Sequence, residues 1–258
     1  RVSKILQKAP LGVFHHKHIS KNIDCEVTCL ATFKEADLVI MGMENGKIAA
    51  FKEVGDIASN NLELQLLSKL KVFKNEITRI SLSPSKGVVY CVGDDNGIAV
   101  LDLASWKVVE KHTLPGKIGE FIYEPDYDVA IVAHGQNKIT VLDLADPKKF
   151  HQQQIKVMND ASAQIFQIDM DIEAGMVFCS DDVSGTITVL DIDYPFAFGS
   201  AITPRCSAFG LSKCKDITFW EERKEVYCGF PGGLLTIHRL FGEADHQRLE
   251  FIATCRVS

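Results

Sequence analysis

The sequence predicts an all-β fold built from repeated four-stranded antiparallel units, and three observations support this prediction. The motif Gly-Thr-Ile-Thr-Val-Leu-Asp at 185–191 returns five times in related form. An apolar segment precedes each copy, and a short run rich in β-forming residues lies between the two. Self-similarity with a period of 41 to 50 residues is typical of repeat architectures. The anchor residues of the five copies are Phe51, Leu101, Leu142, Leu190 and His238.

The first element of each repeat is an apolar strand. In it, apolar residues stand at positions one, four and often six, as in Ile77, Ile80 and Leu82. Short segments rich in Val, Ile, Tyr and Phe favour β-strands. We predict that these strands are the innermost of each repeat. They begin at Val27, Ile77, Ile118, Ile165 and Ile217.

The second and third elements are the β-rich run and the motif itself, and a polar fourth strand follows. Turn residues such as 84–87 and 94–97 separate the strands, which indicates tight antiparallel hairpins. The charged, alternating segment 107–112 suits the exposed outer edge of a sheet. In the first repeat, the alternation of Leu62, Leu64 and Leu66 indicates a further strand inside a long insertion.

Four strands per repeat at this period resemble the WD-repeat β-propeller family, and the motif at 185–191 is similar to that family's signature. The resemblance covers residues 24–258 and implies five full blades and a partial N-terminal blade within a seven-bladed propeller. The tryptophan of the family's Trp-Asp pair is replaced by Leu101, Leu142 and Leu190 in three repeats, and no repeat has a Gly-His pair before its first strand. The family's His–Asp hydrogen-bond network is therefore expected to be absent. The predicted units are a partial blade at 1–23 and blades at about 24–74, 75–115, 116–160, 161–212 and 213–258.

A weaker resemblance is to the propeller of WD-repeat-and-FYVE proteins, carried by the stretch 38–48. The chain has no Cys-x-x-Cys pair to bind the zinc ions of a FYVE module, so endosomal lipid binding is not implied. The strands needed to close the propeller either lie in sequence outside this chain or come from a partner. We favour the first alternative, since the chain begins at Arg1 and not at Met.

Composition predicts an intracellular protein. Hydrophobic residues make up 46% of the chain, charged residues 24%, and the net charge is −6. No apolar window reaches the length of a membrane span, and an acidic chain lacks the continuous basic surface that nucleic acids require. Cys91, Cys179 and Cys228 share one position in three repeats, which indicates core residues. We predict a reducing, cytoplasmic location, with a large cytoskeletal or endomembrane assembly as a candidate setting. The sequence does not indicate homo-oligomers.

The charges are distributed unevenly. Residues 1–23 carry lysines, an arginine and three histidines but no acid, whereas residues 157–204 contain no lysine or arginine. The acids of the second stretch are either turn formers or an acidic surface for a basic partner. The second interpretation makes Asp169, Asp171 and Glu173 candidate partner-binding residues. The histidines His15, His16 and His18 suit an exposed strand better than a metal site, because no acid or cysteine completes a ligand set.

An aromatic segment follows the fourth copy of the motif. Tyr194, Phe196 and Phe198, with continuation through Pro204 to Phe209, lie in a stretch with poor strand periodicity. Aromatic residues on a loop are typical anchors of protein interfaces. Alternatively, the segment folds back and its rings fill the space between two blades.

These observations predict a non-catalytic protein–protein interaction scaffold, a propeller subunit of a multiprotein assembly. The sequence contains no Gly-x-Ser-x-Gly, phosphate-binding glycine loop or His-Glu-x-x-His motif, and we predict no catalytic residue, cofactor or metal. The alternative is a ligand-binding or phosphoinositide-binding propeller that recruits a complex to membranes. The inner strands show no repeated charged set near their starts, and the chain has no adjacent pair of arginines, so both features favour the scaffold.

Overall fold

The described part of the chain contains twenty strands in five sheets, together with two short 3-10 helices at Lys34–Ala36 and Glu221–Arg223. A computed structural model describes residues 23–55, 63–135, 138–146, 151–157, 165–171, 174–181, 184–192, 202–208, 210–211, 213–242 and 246–256. Each sheet has four strands in sequence order, and every neighbouring pair is antiparallel. Among these residues, no helix has the length and apolar character that a membrane span requires.

The strands follow one another along the chain, four to a sheet. Sheet 1 contains β1 (Val27–Phe33), β2 (Leu38–Met43), β3 (Lys47–Val54) and β4 (Glu63–Lys71). Sheet 2 contains β5 (Ile77–Ser83), β6 (Val88–Gly93), β7 (Gly97–Asp102) and β8 (Lys107–Thr113). Sheet 3 contains β9 (Ile118–Glu124), β10 (Val129–His134), β11 (Lys138–Asp143) and β12 (His151–Lys156). Sheet 4 contains β13 (Ile165–Asp171), β14 (Met176–Asp181), β15 (Ile187–Ile192) and β16 (Ile202–Ala208). Sheet 5 contains β17 (Asp216–Trp220), β18 (Glu225–Phe230), β19 (Leu234–Phe241) and β20 (Arg248–Arg256).

The predicted fold class, repeated four-stranded antiparallel blades, is confirmed by these five sheets. The strand predicted from the leucine alternation is also present, because Leu64 and Leu66 lie in β4, the fourth strand of sheet 1. The predicted partial blade at 1–23 lies outside the described residues, apart from Ile23. The total of seven blades stays a prediction.

Consecutive sheets pack face to face, and their apolar side chains form one cluster between each pair. Between sheets 2 and 3, the ring of Tyr90 lies 4.9 Å from that of Tyr123. Between sheets 4 and 5, the ring of Phe178 stacks on that of Phe219 at 4.3 Å. The second strands β2, β6, β10 and β14 are buried at every position because both of their faces are covered. Dispersion and the hydrophobic effect along these faces are the main stabilising terms.

The cysteines at the shared position of the second strand are core residues, as predicted. Cys91, Cys179 and Cys228 are each 0% exposed, and each lies opposite an isoleucine of the first strand in its sheet. All eight cysteines are free thiols. A pairing of Cys206 with Cys214, which their positions along the chain leave open, is not formed.

One prediction about the aromatic segment is wrong. Residues 202–208 form β16, the outer strand of sheet 4, whereas the sequence indicated a loop up to Phe209. Strand periodicity is hidden there by a bulge, which places Pro204 opposite Leu190 and Cys206 opposite Val189. A proline is tolerated in this strand because it is an edge strand.

Candidate interaction site

Two charged side chains from neighbouring inner strands form an ion pair. Arg79 of β5 donates from Nε to Glu120 Oε1 at 2.6 Å and from Nη2 to Glu120 Oε2 at 2.9 Å, so the contact is bidentate. Arg79 Nη1 also donates to the carbonyl of Thr78 at 2.9 Å. The hydrogen-bonded Glu120 carboxylate raises the pKa of Arg79. The pair fixes the first strands of sheets 2 and 3 relative to each other.

Three of the five inner strands carry a charged residue at one shared register, which the sequence analysis did not identify. The inner strands can be aligned by their pairing with the second strands. The fourth residue of the second strand lies opposite Ile80 in sheet 2, Phe121 in sheet 3 and Ile217 in sheet 5. The residue immediately before each is Arg79, Glu120 and Asp216, respectively. The charge of Asp216 also contributes to the raised pKa of Arg79. Of the three residues, Arg79 and Glu120 bond to each other and so join sheets 2 and 3.

Both predicted acidic residues that the structure describes, Asp169 and Asp171, lie on the inner strand β13. Asp169 Oδ2 accepts the backbone N–H of Phe219 in sheet 5 at 2.8 Å, and its Oδ1 accepts the N–H of Met170 at 2.9 Å. Burial raises the pKa of Asp169. Asp171 Oδ1 accepts the N–H of Ala174 at 2.8 Å. Asp169 thus joins sheets 4 and 5, and Asp171 holds the turn after its own strand.

Two other acids of the predicted acidic stretch also bond within the chain. Asp181 accepts the backbone N–H groups of Ser184 at 2.6 Å, Gly185 at 3.2 Å and Thr186 at 3.0 Å. Asp191 forms an ion pair with Arg205, which lies just beyond the stretch that lacks basic residues. These bonds fit the turn-former interpretation of Asp181 and give Asp191 an internal counter-charge. The other predicted partner-binding residues lie outside the described residues: Glu173, Tyr194, Phe196, Phe198 and Phe209.

An aromatic and cationic cluster, which the sequence analysis missed, lies on the face of sheet 5 that points away from sheet 4. Trp220 is 43% exposed, and its ring lies 6.0 Å from that of Tyr227. The guanidinium carbon of Arg223 lies over the Trp220 ring at 4.5 Å from its centroid. We call Trp220, Arg223 and Tyr227 the aromatic cluster. Partly exposed Trp, Tyr and Arg side chains in contact are the residue types that most often anchor protein interfaces.

Hydrogen bonds to the Glu225 carboxylate hold Tyr227 of the aromatic cluster in place. The Tyr227 hydroxyl donates to Glu225 Oε2 at 2.6 Å, and Arg239 Nε donates to Glu225 Oε1 at 3.1 Å. These hydrogen bonds, first that from Tyr227 and then that from Arg239, lower the pKa of Glu225. The same bond to the carboxylate raises the pKa of Tyr227. The network therefore keeps Glu225 ionised and Tyr227 in a fixed orientation.

In the part of the chain that the structure describes, no three His, Cys, Asp or Glu side chains come together in a way that could hold a metal ion. The predicted histidine group at 15–18 lies outside this part. The two described histidines with the greatest burial bond to threonines: His134 Nε2 lies 2.5 Å from Thr140 Oγ1, and His238 Nε2 lies 3.1 Å from Thr236 Oγ1. These pairs are internal to sheets 3 and 5.

Comparisons with known proteins find solved structures with the same architecture. No protein-family model matches the sequence, and no curated protein matches it significantly. Solved structures do match. The β-propeller domain of Cps50 (Swd1) from Myceliophteria thermophila has a TM-score of 0.68 and 13% identity, over 91% of this chain and 73% of that one. The fold is a β-propeller.

Two further solved structures have similar folds. A protein from Lactobacillus plantarum has a TM-score of 0.72 and 14% identity, over 89% of this chain and 71% of its own. Sqt1 from Chaetomium thermophilum, solved bound to the N-terminus of the ribosomal protein L10, has a TM-score of 0.66 and 13% identity. That match covers 83% of this propeller chain and 59% of Sqt1, so this chain spans less than two thirds of the Sqt1 chain.

Proposed function

We propose that this propeller is a non-catalytic scaffold that holds other proteins in a multiprotein assembly, and that it descends from the WD-repeat family. The observation that carries the proposal is the exposed aromatic cluster of Trp220, Arg223 and Tyr227 on sheet 5. A tryptophan at a protein surface leaves a large apolar area in water, and binding a partner removes that area. Tyr227 of the cluster is held by its hydrogen bond to Glu225, so binding costs little side-chain entropy at this residue.

The architecture supports the same function. Stacked sheets with fully buried second strands form a rigid body, and their loops and outer faces vary without disturbing the core. Sqt1, a solved propeller of similar fold, binds the N-terminus of a ribosomal protein. By analogy, we infer that this chain binds polypeptide segments and not small substrates. The setting we propose is a cytoplasmic assembly, cytoskeletal or endomembrane.

The partner-binding residues suggested by the sequence remain part of this proposal. Tyr194, Phe196 and Phe198 supply rings in a segment between β15 and β16, and we propose that they form a second contact surface. Phe209 comes directly after β16, at the opposite end of that strand from residues 194–198, and we propose it as a separate contact residue. For Asp169, Asp171 and Glu173, we propose a supporting role in the same region of sheet 4, since Asp169 and Asp171 already bond to backbone N–H groups.

The test is affinity purification of the tagged chain from its native cells, with the bound proteins identified by mass spectrometry. Wild type is compared with Trp220→Ser and with a Tyr194/Phe196/Phe198→Ser variant. Leu67→Ser on β4 is the matched control, because Leu67 is also an exposed apolar residue at 46% exposure. We expect both test variants to lose stoichiometric partners that the control retains. Recovery of no stoichiometric protein with the folded wild-type chain would contradict the scaffold function.

A further inference from the structure

The outer strands of the five sheets, β4, β8, β12, β16 and β20, differ in one feature of their backbone. In four of them, a bulge interrupts the pairing with the third strand at the same register, between the anchor residue of the repeat and the residue before it. The extra residues of these four bulges are Leu67, Val109, Arg205 and Ile252. In β12, Gln152 lies opposite Leu142 and Gln153 opposite Val141, with no shift between them. Among the described outer strands, β12 is therefore the one that pairs regularly along its whole length.

The outer strands also differ in charge and in proline content. β4, β8 and β20 carry three charged residues each, and β16 carries Pro204 and Arg205. β12 has the sequence His-Gln-Gln-Gln-Ile-Lys, in which only the last residue, Lys156, is formally charged. Proteins protect exposed sheet edges from pairing by means of bulges, charged side chains and prolines. Residues 151–155 have none of these, so the unpaired N–H and C=O groups of β12 are open to a further strand.

The position of β12 in the fold means that a further blade would not cover its edge. Sheet 3 packs between sheets 2 and 4, and β12 is the last strand of sheet 3 on the side away from the inner strand β9. After β12 the chain continues to β13, the inner strand of sheet 4. Residues 1–22 lead toward β1 in sheet 1, which sheet 2 separates from sheet 3. Because no described strand other than β11 pairs with β12, we look for the occupant of its edge in another molecule.

The size of the edge favours an extended polypeptide segment over a second copy of this propeller. The six residues of β12 span about 20 Å. Two rigid propellers that met at this edge alone would bury much less than the roughly 1,200 Å² of a stable protein–protein interface. A flexible segment makes the same backbone hydrogen bonds, and it also places its side chains over both faces of the strand. The area available at β12 is therefore sufficient for a segment and too small for a dimer.

We propose that the edge of β12 binds an extended segment of a partner protein, which becomes the fifth strand of sheet 3. This proposal rests on the scaffold function and names a surface and a class of partner for it. In this mode of recognition, main-chain hydrogen bonds supply affinity and alternate side chains supply specificity. Gln152 and Gln154 are exposed on β12, and their amides both donate and accept hydrogen bonds. The matching segment therefore carries neutral polar or β-branched side chains, and it has no proline in the paired stretch because proline lacks an N–H.

The first experiment maps the occupant of this edge in the full chain. A photoreactive phenylalanine analogue replaces Gln154, and the control places it at Thr113, an exposed residue of the outer strand β8. After irradiation in the native cells, the cross-linked peptides are sequenced by mass spectrometry. We expect the analogue at position 154 to cross-link to one segment of a partner protein that is free of proline over the six-residue length of β12. The analogue at position 113 should not cross-link to that segment.

The second experiment asks whether that segment binds as a strand. A synthetic peptide with the cross-linked sequence is the probe, and its binding to the full chain is measured by fluorescence anisotropy. Single N-methyl groups are then placed on each of its residues in turn. In an antiparallel pair, only every second residue directs its N–H toward a given neighbour. N-methylation should therefore weaken binding at least about tenfold at alternate positions and leave it unchanged at the positions between them.

Variants of β12 test the edge itself. Insertion of a valine between Gln152 and Gln153 gives β12 the bulge that the other four outer strands have, and it should weaken peptide binding at least about tenfold. Gln154→Lys places a charge on the edge without adding a residue, so it gives an independent result if the insertion disturbs folding. Thr113→Lys on β8 is the matched control and should bind the peptide as wild type does.

Several outcomes would overturn the proposal. Cross-linking from position 154 to a second copy or to residues of the same chain would do so, as would no cross-link while partners still co-purify. Equal effects of N-methylation at every position would mean that the segment does not bind as a strand. Unchanged peptide binding in both β12 variants would place the contact elsewhere. Absence of any co-purified partner would contradict the scaffold function, and this proposal with it.

Discussion

Arg79 and Glu120 join the first strands of sheets 2 and 3 through two parallel hydrogen bonds of 2.6 and 2.9 Å. The Glu120 side chain is 14% exposed and that of Arg79 is 41% exposed, so the carboxylate is largely removed from water while the guanidinium is only partly so. Planar bidentate pairs of this kind fix geometry as well as charge. The pair therefore fixes the relative position of two sheets whose remaining contacts are mainly apolar and non-directional.

Removal of the guanidinium is expected to destabilise the propeller. In Arg79→Ala, Glu120 loses its counter-charge and keeps its desolvation cost, so the free energy of unfolding should fall by about 1–2 kcal/mol. Solvent around the partly exposed Arg79 limits the effect. Urea denaturation of Arg79→Ala, Glu120→Ala and the double variant measures the coupling between the two residues. Arg248→Ala, which breaks the exposed pair with Glu250, is the control and should change stability by less than about 0.5 kcal/mol. If the effects of the two single variants were additive, Arg79 and Glu120 would not stabilise the two sheets as a pair.

Two glycines at the same register are expected to differ in how strongly alanine destabilises the fold. Gly42→Ala places a Cβ 2.5 Å from Cys29 Sγ and 2.8 Å from Ile77 Cγ2, and overpacking of this kind should cost about 1–3 kcal/mol. Gly229→Ala meets only Asp216 at 3.9 Å and should change the free energy of unfolding by no more than about 0.5 kcal/mol. Thermal and urea denaturation of the two variants side by side checks this. Equal losses would mean that the face of sheet 5 is filled as the face of sheet 1 is.

The repeat could be predicted from sequence because burial on both faces of the second strand leaves a local signal. The runs at Val88, Val129 and Met176 are continuously apolar, and the motif after each ends in an aspartate. The Arg79–Glu120 pair gives no such signal, because its partners meet only after two sheets stack. The sequence offered one indication, since Arg79 and Glu120 are each the third residue of their inner strand.

In sheet 5, the residue equivalent to Arg79 and Glu120 is Asp216. It was missed because the sequence analysis placed the inner strand of this sheet in the wrong register. Sequence spacing placed Ile217 and Trp220 at positions one and four of their strand. The structure pairs Ile217 with Cys228 in the same way that Ile80 pairs with Cys91, so Ile217 stands at position four. Trp220 consequently lies three residues further along, at the end of β17, and is exposed. The aromatic cluster could not be predicted from sequence, because the repeat spacing placed Trp220 at an apolar position of the inner strand.

The thiols are expected to differ sharply in reactivity. Cys255 is exposed, whereas Cys91, Cys179 and Cys228 are fully buried. Burial raises the pKa of Cys91, and it raises that of Cys179 to about 12. The thiolate is the reactive form, so N-ethylmaleimide should modify Cys255 within minutes and these core thiols only after unfolding. Peptide mapping by mass spectrometry follows the order, and Cys255→Ser should abolish the fast phase. Rapid labelling of Cys91 in the native protein would show that sheets 1 and 2 separate readily.

The buried histidines should make stability depend on pH. Burial lowers the pKa of His134 below the ordinary histidine value of 6.5, despite the contact of its Nδ1 with the Pro115 carbonyl at 3.2 Å, and burial likewise lowers the pKa of His238. A lowered folded-state pKa means that the unfolded chain binds protons first. The stabilisation is therefore complete above about pH 6.5 and is lost as the pH falls toward the folded-state values.

Urea denaturation at a series of pH values from about 7.5 to 5 tests this dependence. The free energy of unfolding should decline over that range in wild type and decline less in a His134→Gln/His238→Gln variant. His246→Gln, at an exposed position, is the matched control and should keep the wild-type slope. Glu225 acts in a separate, more acidic range, because its pKa is lowered from 4.5 by Tyr227 and Arg239 and its stabilisation is lost only as the carboxylate protonates. A slope between pH 7.5 and 5 that persists in the double histidine variant would assign the dependence to other groups, and the buried His–Thr pairs would then be stable in both protonation states.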